Sequence, residues 1–350
     1  MKQLQDAYIV AATRSPIGKA PKGAFKNTRP DDLLATILKA AVAQVPGLDP
    51  ALIEDAIVGC AIPEAQQGLN VARIGAVLAG LPTSIGGITV NRFCASGLSA
   101  VAMAADRIRV GEADVMVAAG VESMSMVPMM GNAPSLSPSI FERDGDVGIA
   151  YGMGLTAEKV AQQWKVSRED QDAFAIESYR RASEAYKNGW FAEELFDVEI
   201  AGRGESTFVK EDEEYKKLRA DKEATLKPAF GKDGTVTAVN ASKINDGAAA
   251  VVLMSGKKVK ELGLKPLAKL TGYADAEQAP DDFTTSPSLA MPKAAAKAGL
   301  QIKDIDYFEI NEAFSNVTMA NTKLLGLDPS RVNAFGGAVA LGHPVGASGA

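Results

Sequence analysis

IEDAIVGCAIPEAQQGLNVARIGAVLAGLPTSIGGITVNRFCASGLSA, residues 53–100, changes its hydrophobic period three times. IEDAIVGC is a short, continuous apolar run, which predicts a strand buried on both faces. NVARIGAVLAG places its apolar residues at helical spacing, and GITVNR returns to a short buried strand. After it Leu98, Val101, Ala105 and Ile108 fall three and four apart, predicting a helix from Ala95 or Ser96 to Gly111. The order is strand, helix, strand, helix, and ADVMVAAGV supplies the next strand. Upstream, DAYIVAATRSPIG reads as a first strand stopped by Pro16 and Gly18. Beyond Pro30 and a capping Asp31, Leu34, Ile37, Leu38, Ala41, Val42 and Val45 mark a crossover helix ended by Pro46-Gly47. This alternation predicts a layered α/β fold with a mainly parallel sheet.

The pattern breaks near Val121, where ESMSMVPMMGNAPSLSPS is rich in Met, Pro, Ser and Gly and reads as the start of an insertion. A long helix over SREDQDAFAIESYRRASEAYKNG and the charged stretch VKEDEEYKKLRADKEATLK follow, the latter reading as a solvated face. VVLM at 251–254 resumes the core. From Pro266 a second alternation runs through LAKLTGYA, SLAMPKAAAKAG, IDYFEI, EAFSNVTMANTKLLG and RVNAFGG. IEDAIVGC leading to VNRFCASGLSA is echoed by DYFEINEA leading to VNAFGGAVALGHPVGASGA, so a duplicated half-domain is one reading of the chain.

Composition narrows the function. With 350 residues, 47% hydrophobic and 23% charged, the chain has material for a sizeable core. A formal charge of -6 argues against a face built for nucleic acid or an anionic membrane. No apolar run is long enough for a membrane span, and MKQLQDAYIVAATRS lacks the apolar centre of a signal peptide, so a cytoplasmic location is expected. Two cysteines and one histidine cannot supply a usual zinc site. Phosphate-loop and dinucleotide signatures fail: Ala24 and Phe25 stand where Lys and Ser or Thr are required, and GMGLTA lacks a third glycine.

The residues able to do chemistry are few. Cys94 falls at a predicted helix start, where unpaired N–H groups favour thiolate over thiol and can hold an oxyanion. Cys60 ends a strand and reads as structural. His343 is the single histidine; Pro344 keeps it from helical conformation, and the surrounding Gly and Ala permit close backbone approach, which suits a base for Cys-based acyl transfer. Asn311 and Glu312 in NEAFS lie where an apolar strand gives way to a helix.

CASGL around Cys94, AGVESMS at 119–125, NASKINDGAAA at 240–250, NEAF at 311–314 and GGAVALGHPVGASGA at 336–350 resemble the thiolase family in sequence and in order. GCAIPEAQQGLNVARIGAVLAG and the VPMM of 127–130 further resemble the degradative 3-ketoacyl-CoA thiolases of fatty-acid β-oxidation. The resemblance implies a thiolase fold: duplicated βαβαβαββ half-domains in a five-layer αβαβα arrangement, with an inserted loop domain. On this sequence the halves would be 1–262 and 263–350, the loop domain covering coenzyme A at about 118–241. It implies thiolysis of a 3-ketoacyl-CoA by CoA to acyl-CoA and acetyl-CoA through an acyl-cysteine, with acetoacetyl-CoA thiolase the neighbouring alternative.

By position Cys94 would be the acylated nucleophile and His343 its base. Asn311 would hold a water at the thioester enolate, Ser242 would touch the pantetheine arm, and Met129 would line the acyl pocket. Coenzyme A would be a substrate, with no cofactor and no metal. A homodimer or homotetramer is implied, with a β-oxidation hydratase/dehydrogenase subunit as a further partner. Thiolases also use a second cysteine, in a Cys-x-Gly motif beyond GHP, to move the C2 proton, and this sequence reaches Ala350 without it. The resemblance therefore implies a C-terminally incomplete thiolase, either a fragment or a catalytically defective CoA-binding or subunit-interaction protein. In the incomplete second half, unpaired strand edge and exposed apolar surface are expected.

Overall fold

In the computed structural model, residues 4–142, 152–202, 204–218 and 225–350 are described. Part of the charged stretch 209–227 lies outside them. β1 (Ala7–Arg14), β2 (Gly18–Lys19), β3 (Asp55–Gly59), β4 (Ile88–Val90) and β5 (Val115–Ser123) precede the insertion, with α1 (Pro30–Ala43), α2 (Val71–Leu78) and α3 (Ser96–Arg109) between them. Between Ser123 and Asn245 the described residues carry α4 (Met153–Trp164), α5 (Arg168–Lys187) and the hairpin of β6 (Val198–Ile200) with β7 (Thr207–Val209). The chain returns as β8 (Asn245–Ser255), followed by α6 (Gly256–Glu261) and β9 (Ala268–Lys269). α7 (Pro287–Lys297), α8 (Ser315–Leu325) and α9 (Ala338–Leu341) complete the order.

The main sheet runs β4-β3-β5-β8-β1-β9, with β2 beside β8. Only β3 pairs in parallel, with β4 and β5. β8 is antiparallel to β5, β1 and β2, and β9 to β1. The sheet is thus mixed rather than mainly parallel. After the excursion from Ser123 to Asn245 the chain re-enters from the end at which it left, so β8 runs against β5 as a hairpin partner would.

Both faces are covered, which explains the unbroken apolar runs. On one face Val58, Val117, Val252 and Met254 pack beneath Leu33, Leu34, Ile37 and Leu38 of α1 and Val71 and Ala76 of α2. On the other Ile57, Met116, Ala118 and Leu253 meet Ala100, Ala104 and Ile108 of α3. The period-2 alternation of strand side chains assigns each residue its layer. α1 begins two residues earlier than expected, with Pro30 in its first turn and Arg29 at the cap; Asp31 lies inside that turn, bound by Arg29.

The C-terminal alternation forms helices where the spacing predicts them but little ladder. IDYFEI and RVNAFGG meet at a single parallel bridge, Phe308 to Val332, reinforced by Asn333, which donates to Ile310 O and accepts from Ile310 N. Of LAKLTGYA only Ala268–Lys269 pair, against β1. Tyr307, Phe335 and Trp190 remain exposed. The second helix of this half starts at Ser315, three residues beyond Glu312, leaving NEAF extended.

Candidate active site

Two turns carry the site. Between β4 and α3 the chain reverses sharply: Phe93 takes φ +46°, a left-handed conformation that costs an aromatic residue on the order of 1–3 kcal/mol. The turn is held by Asn91, whose Oδ1 accepts from Phe93 N, and by Ser96, whose hydroxyl accepts from Arg92 N and donates to Phe93 O. Cys94 stands at its crest, half-buried, in a single 3-10 turn before α3 begins at Ser96. Ala61, Met124 and Val345 form the apolar cluster beside it.

The second turn is GHPVGAS, residues 342–348. Its backbone lies in a slot lined by glycines of the first half. A Cβ on Gly120 would stand 2.7 Å from Ala347 Cα, and one on Gly59 would stand 2.8 Å from Gly346 O. Any side chain at either position would push the loop out. Buried Glu122, at the end of β5, closes the slot by accepting from the N–H groups of Ala61, Ile62 and Gly346 and from Gln67 Nε2. Asn245, the first residue of β8, accepts from His343 N at 2.9 Å and donates to Gly18 O.

These turns bring together three residues far apart in sequence. His343 Nε2 lies 3.2 Å from Cys94 Sγ and 3.3 Å from Asn311 Nδ2. His343 Nδ1 lies 2.6 Å from Ser348 Oγ. Asn311 is exposed at the mouth of the site, while neighbouring Glu312 is buried and tied to Ser178, Asn333 and Val339 N. Ser242 lies half-buried on the strand-like approach to β8: its N–H donates to Ala313 O, and two residues on Ile244 bridges His343. Met129 sits 46% exposed in a turn closed by Gly131 N to Pro128 O. The methionine packed in the Cys94 cluster is Met124.

Burial sets the protonation states. It pushes the Cys94 thiol up to about 11, with a smaller contribution in the same direction from Glu122, and pushes the His343 imidazole down to about 4. At neutral pH both are uncharged. The helix-start reading predicted a lowered thiol; desolvation outweighs it, since Cys94 precedes the helix by two residues inside an apolar cluster. The pair can therefore act by proton transfer from Sγ to Nε2 as the sulfur attacks, rather than as a preformed ion pair.

Cys60 is fully buried, its thiol toward Glu122 and raised well above the usual range by burial. Limiting iodoacetamide with peptide mass spectrometry should therefore label Cys94 first; preferential labelling of Cys60 would contradict this geometry. Among the described residues no group of three His, Cys, Asp or Glu could hold a metal ion, and no helix is long and apolar enough to cross a membrane.

Glu122, Asn245 and Ser348 are absent from the residues expected from sequence to serve the site. Each lies within a motif already picked out, AGVESMS, NASKINDG or GHPVGASGA, but its partner is a backbone group of another segment or a side chain oriented only by folding.

The thiolase N-terminal domain family matches residues 7–257 and the thiolase C-terminal domain family residues 264–350. The chain belongs to the thiolase family. A probable acetyl-CoA acetyltransferase of Dictyostelium discoideum is 45% identical, over 99% of this chain and 86% of its own length. A 3-ketoacyl-CoA thiolase of Bacillus subtilis is also 45% identical, over 99% of this chain and 90% of its own. The Ascaris suum Acat5 thiolase, solved in complex with coenzyme A, superposes with a TM-score of 0.86 at 41% identity, covering 99% of this chain and 91% of that one. The chain has the thiolase fold.

Proposed function

We propose that this chain transfers acyl groups between carbon and coenzyme A through an acyl-Cys94 intermediate, in the direction of 3-ketoacyl-CoA thiolysis. One observation carries the reading: a cysteine and an uncharged imidazole 3.2 Å apart, with an amide donor 3.3 Å from the same ring nitrogen. Cleaving C2–C3 of a 3-ketoacyl-CoA needs a nucleophile at the C3 ketone and an electron sink at the departing enolate. Cys94 supplies the first. As its sulfur attacks, the proton passes to His343 Nε2. The imidazolium so formed, together with Asn311 directly or through a water, faces the thioester oxygen and stabilises the enolate. The imidazolium proton passes through water to C2 as acetyl-CoA leaves, returning His343 to its neutral form; CoA then attacks acyl-Cys94, with His343 taking the CoA thiol proton and giving it to the released Cys94 sulfur. Ser242, two residues before the bridge from Ile244 to His343, would meet the pantetheine arm, and Met129 would meet the acyl chain.

The cysteines of the 350 residues are Cys60 and Cys94, and Cys60 is sealed behind Glu122. We infer a cytoplasmic homodimer or homotetramer, with the halves divided near 262 and a CoA-covering segment at about 118–241.

Acetoacetyl-CoA is the second reading, favoured by relatives named acetyl-CoA acetyltransferase, one from Yarrowia lipolytica at 48% identity. Single-turnover acylation of Cys94 by 3-ketoacyl-CoAs from C4 to C16 distinguishes the two. The degradative reading expects adducts across the series; acylation confined to C4 selects the acetoacetyl reading, and none at any length sinks both.

A further inference from the structure

Ser348 is exposed and five residues from the histidine, yet its hydroxyl makes two contacts that constrain the site. Ser348 Oγ donates to Pro344 O at 3.0 Å, closing the turn in which Ala347 N and Ser348 N also donate to Pro344 O. A hydroxyl has a single proton, and when that proton points to Pro344 O the oxygen's lone pairs are left to accept from His343 Nδ1, 2.6 Å away. The contacts of the other ring nitrogen agree. Nε2 lies 3.3 Å from Asn311 Nδ2, which can only donate, and 3.2 Å from Cys94 Sγ, which carries its proton at neutral pH. Both contacts are met when Nε2 presents its lone pair, which agrees with a ring proton on Nδ1, but at 3.2 and 3.3 Å they are too long to hold that tautomer without the shorter bond at Nδ1. An isolated neutral imidazole has no such constraint, and which nitrogen carries the proton is set by the bond the other makes.

We propose that Ser348 is a positioning residue that holds His343 as the Nδ1–H tautomer, presenting an unprotonated Nε2 to Cys94. It touches no reacting atom and acts through the imidazole. The inference rests on the Cys94–His343 reading for its catalytic consequence, but the tautomer itself is independent of that reading.

His343 is the single histidine of the chain, so a long-range ¹H–¹⁵N spectrum of the untagged protein contains one imidazole and reports its tautomer without assignment. At pH 7 the wild type should show a protonated Nδ1 and a bare Nε2. Ser348→Ala should shift the ring toward the Nε2–H form and slow acylation of Cys94 by acetyl-CoA about tenfold, the worth of one hydrogen bond. Ser348→Thr, which keeps the hydroxyl, should restore both. A wild-type ring protonated on Nε2, or a Ser348→Ala ring and acylation rate like wild type, would overturn the proposal. A wild-type protein with the Nδ1–H ring that is never acylated at Cys94 would leave Ser348's role in setting the tautomer standing and remove the acyl-transfer reading instead.

Discussion

Cys94→Ala should abolish acyl transfer, lowering single-turnover acylation by on the order of 10⁴- to 10⁶-fold, as loss of a nucleophile does when a site works as a unit. Among the described residues, neither Cys60 nor Ser348 is set to take its place. Cys60 is fully buried, and its thiol is raised further by burial beside Glu122. Ser348 lies on the Nδ1 side of the imidazole, away from the nitrogen that faces Cys94. Because Cys94 is only half-buried, the variant should fold normally, with the circular dichroism and thermal midpoint of wild type. Intact mass after incubation with acetyl-CoA or acetoacetyl-CoA is the measurement. An adduct of unchanged yield in Cys94→Ala would transfer the nucleophile's role elsewhere.

His343→Ala should slow acylation by ~10²–10⁴-fold and change the shape of its pH dependence. Burial lowers the wild-type imidazole to about 4 and raises the thiol to about 11. The base is therefore protonated below about pH 4 and available above it, while the thiol keeps its proton to about 11. Wild-type acylation should rise through the lower value and then run level toward the upper one. Without the base only the thiolate reacts, so the variant's rate should climb tenfold per pH unit across that interval. A level profile in His343→Ala would remove His343 from proton transfer. This prediction replaces the sequence expectation that the helix start lowers the thiol's pKa. The site holds two neutral groups, so the imidazole acts during attack and not by stabilising a resting thiolate.

The candidate constellation was legible as residue types in suggestive settings: a cysteine at a strand-to-helix turn, a lone histidine among glycines, an asparagine after an apolar strand. Their supports were not. Glu122 reads in sequence as the polar end of a strand, and only folding shows its carboxylate gathering three backbone N–H groups, two from the turn just beyond β3 and one from the histidine loop. Ser348 reads as one small residue among several, because the meaning of a hydroxyl depends on which way its proton points.

Local period and turn chemistry determined the elements of the first half, since a strand buried on both faces and an amphipathic helix must carry different spacings whatever surrounds them. They also identified α3 and placed its start at Ala95 or Ser96, of which Ser96 is the observed one. Strand direction was decided by tertiary structure: nothing in VVLM says that the chain re-enters the sheet antiparallel after residues 124–244. The helical pattern over EAFSNVTMANTKLLG likewise extended too far, because Glu312 is drawn into a buried network with Ser178 and Asn333 that holds NEAF extended. Protonation was decided the same way. A helix start favours thiolate by a local field, but the field competes with the loss of water around the sulfur. That loss is fixed by Met124, Ala61 and Val345, residues brought to Cys94 only by the fold.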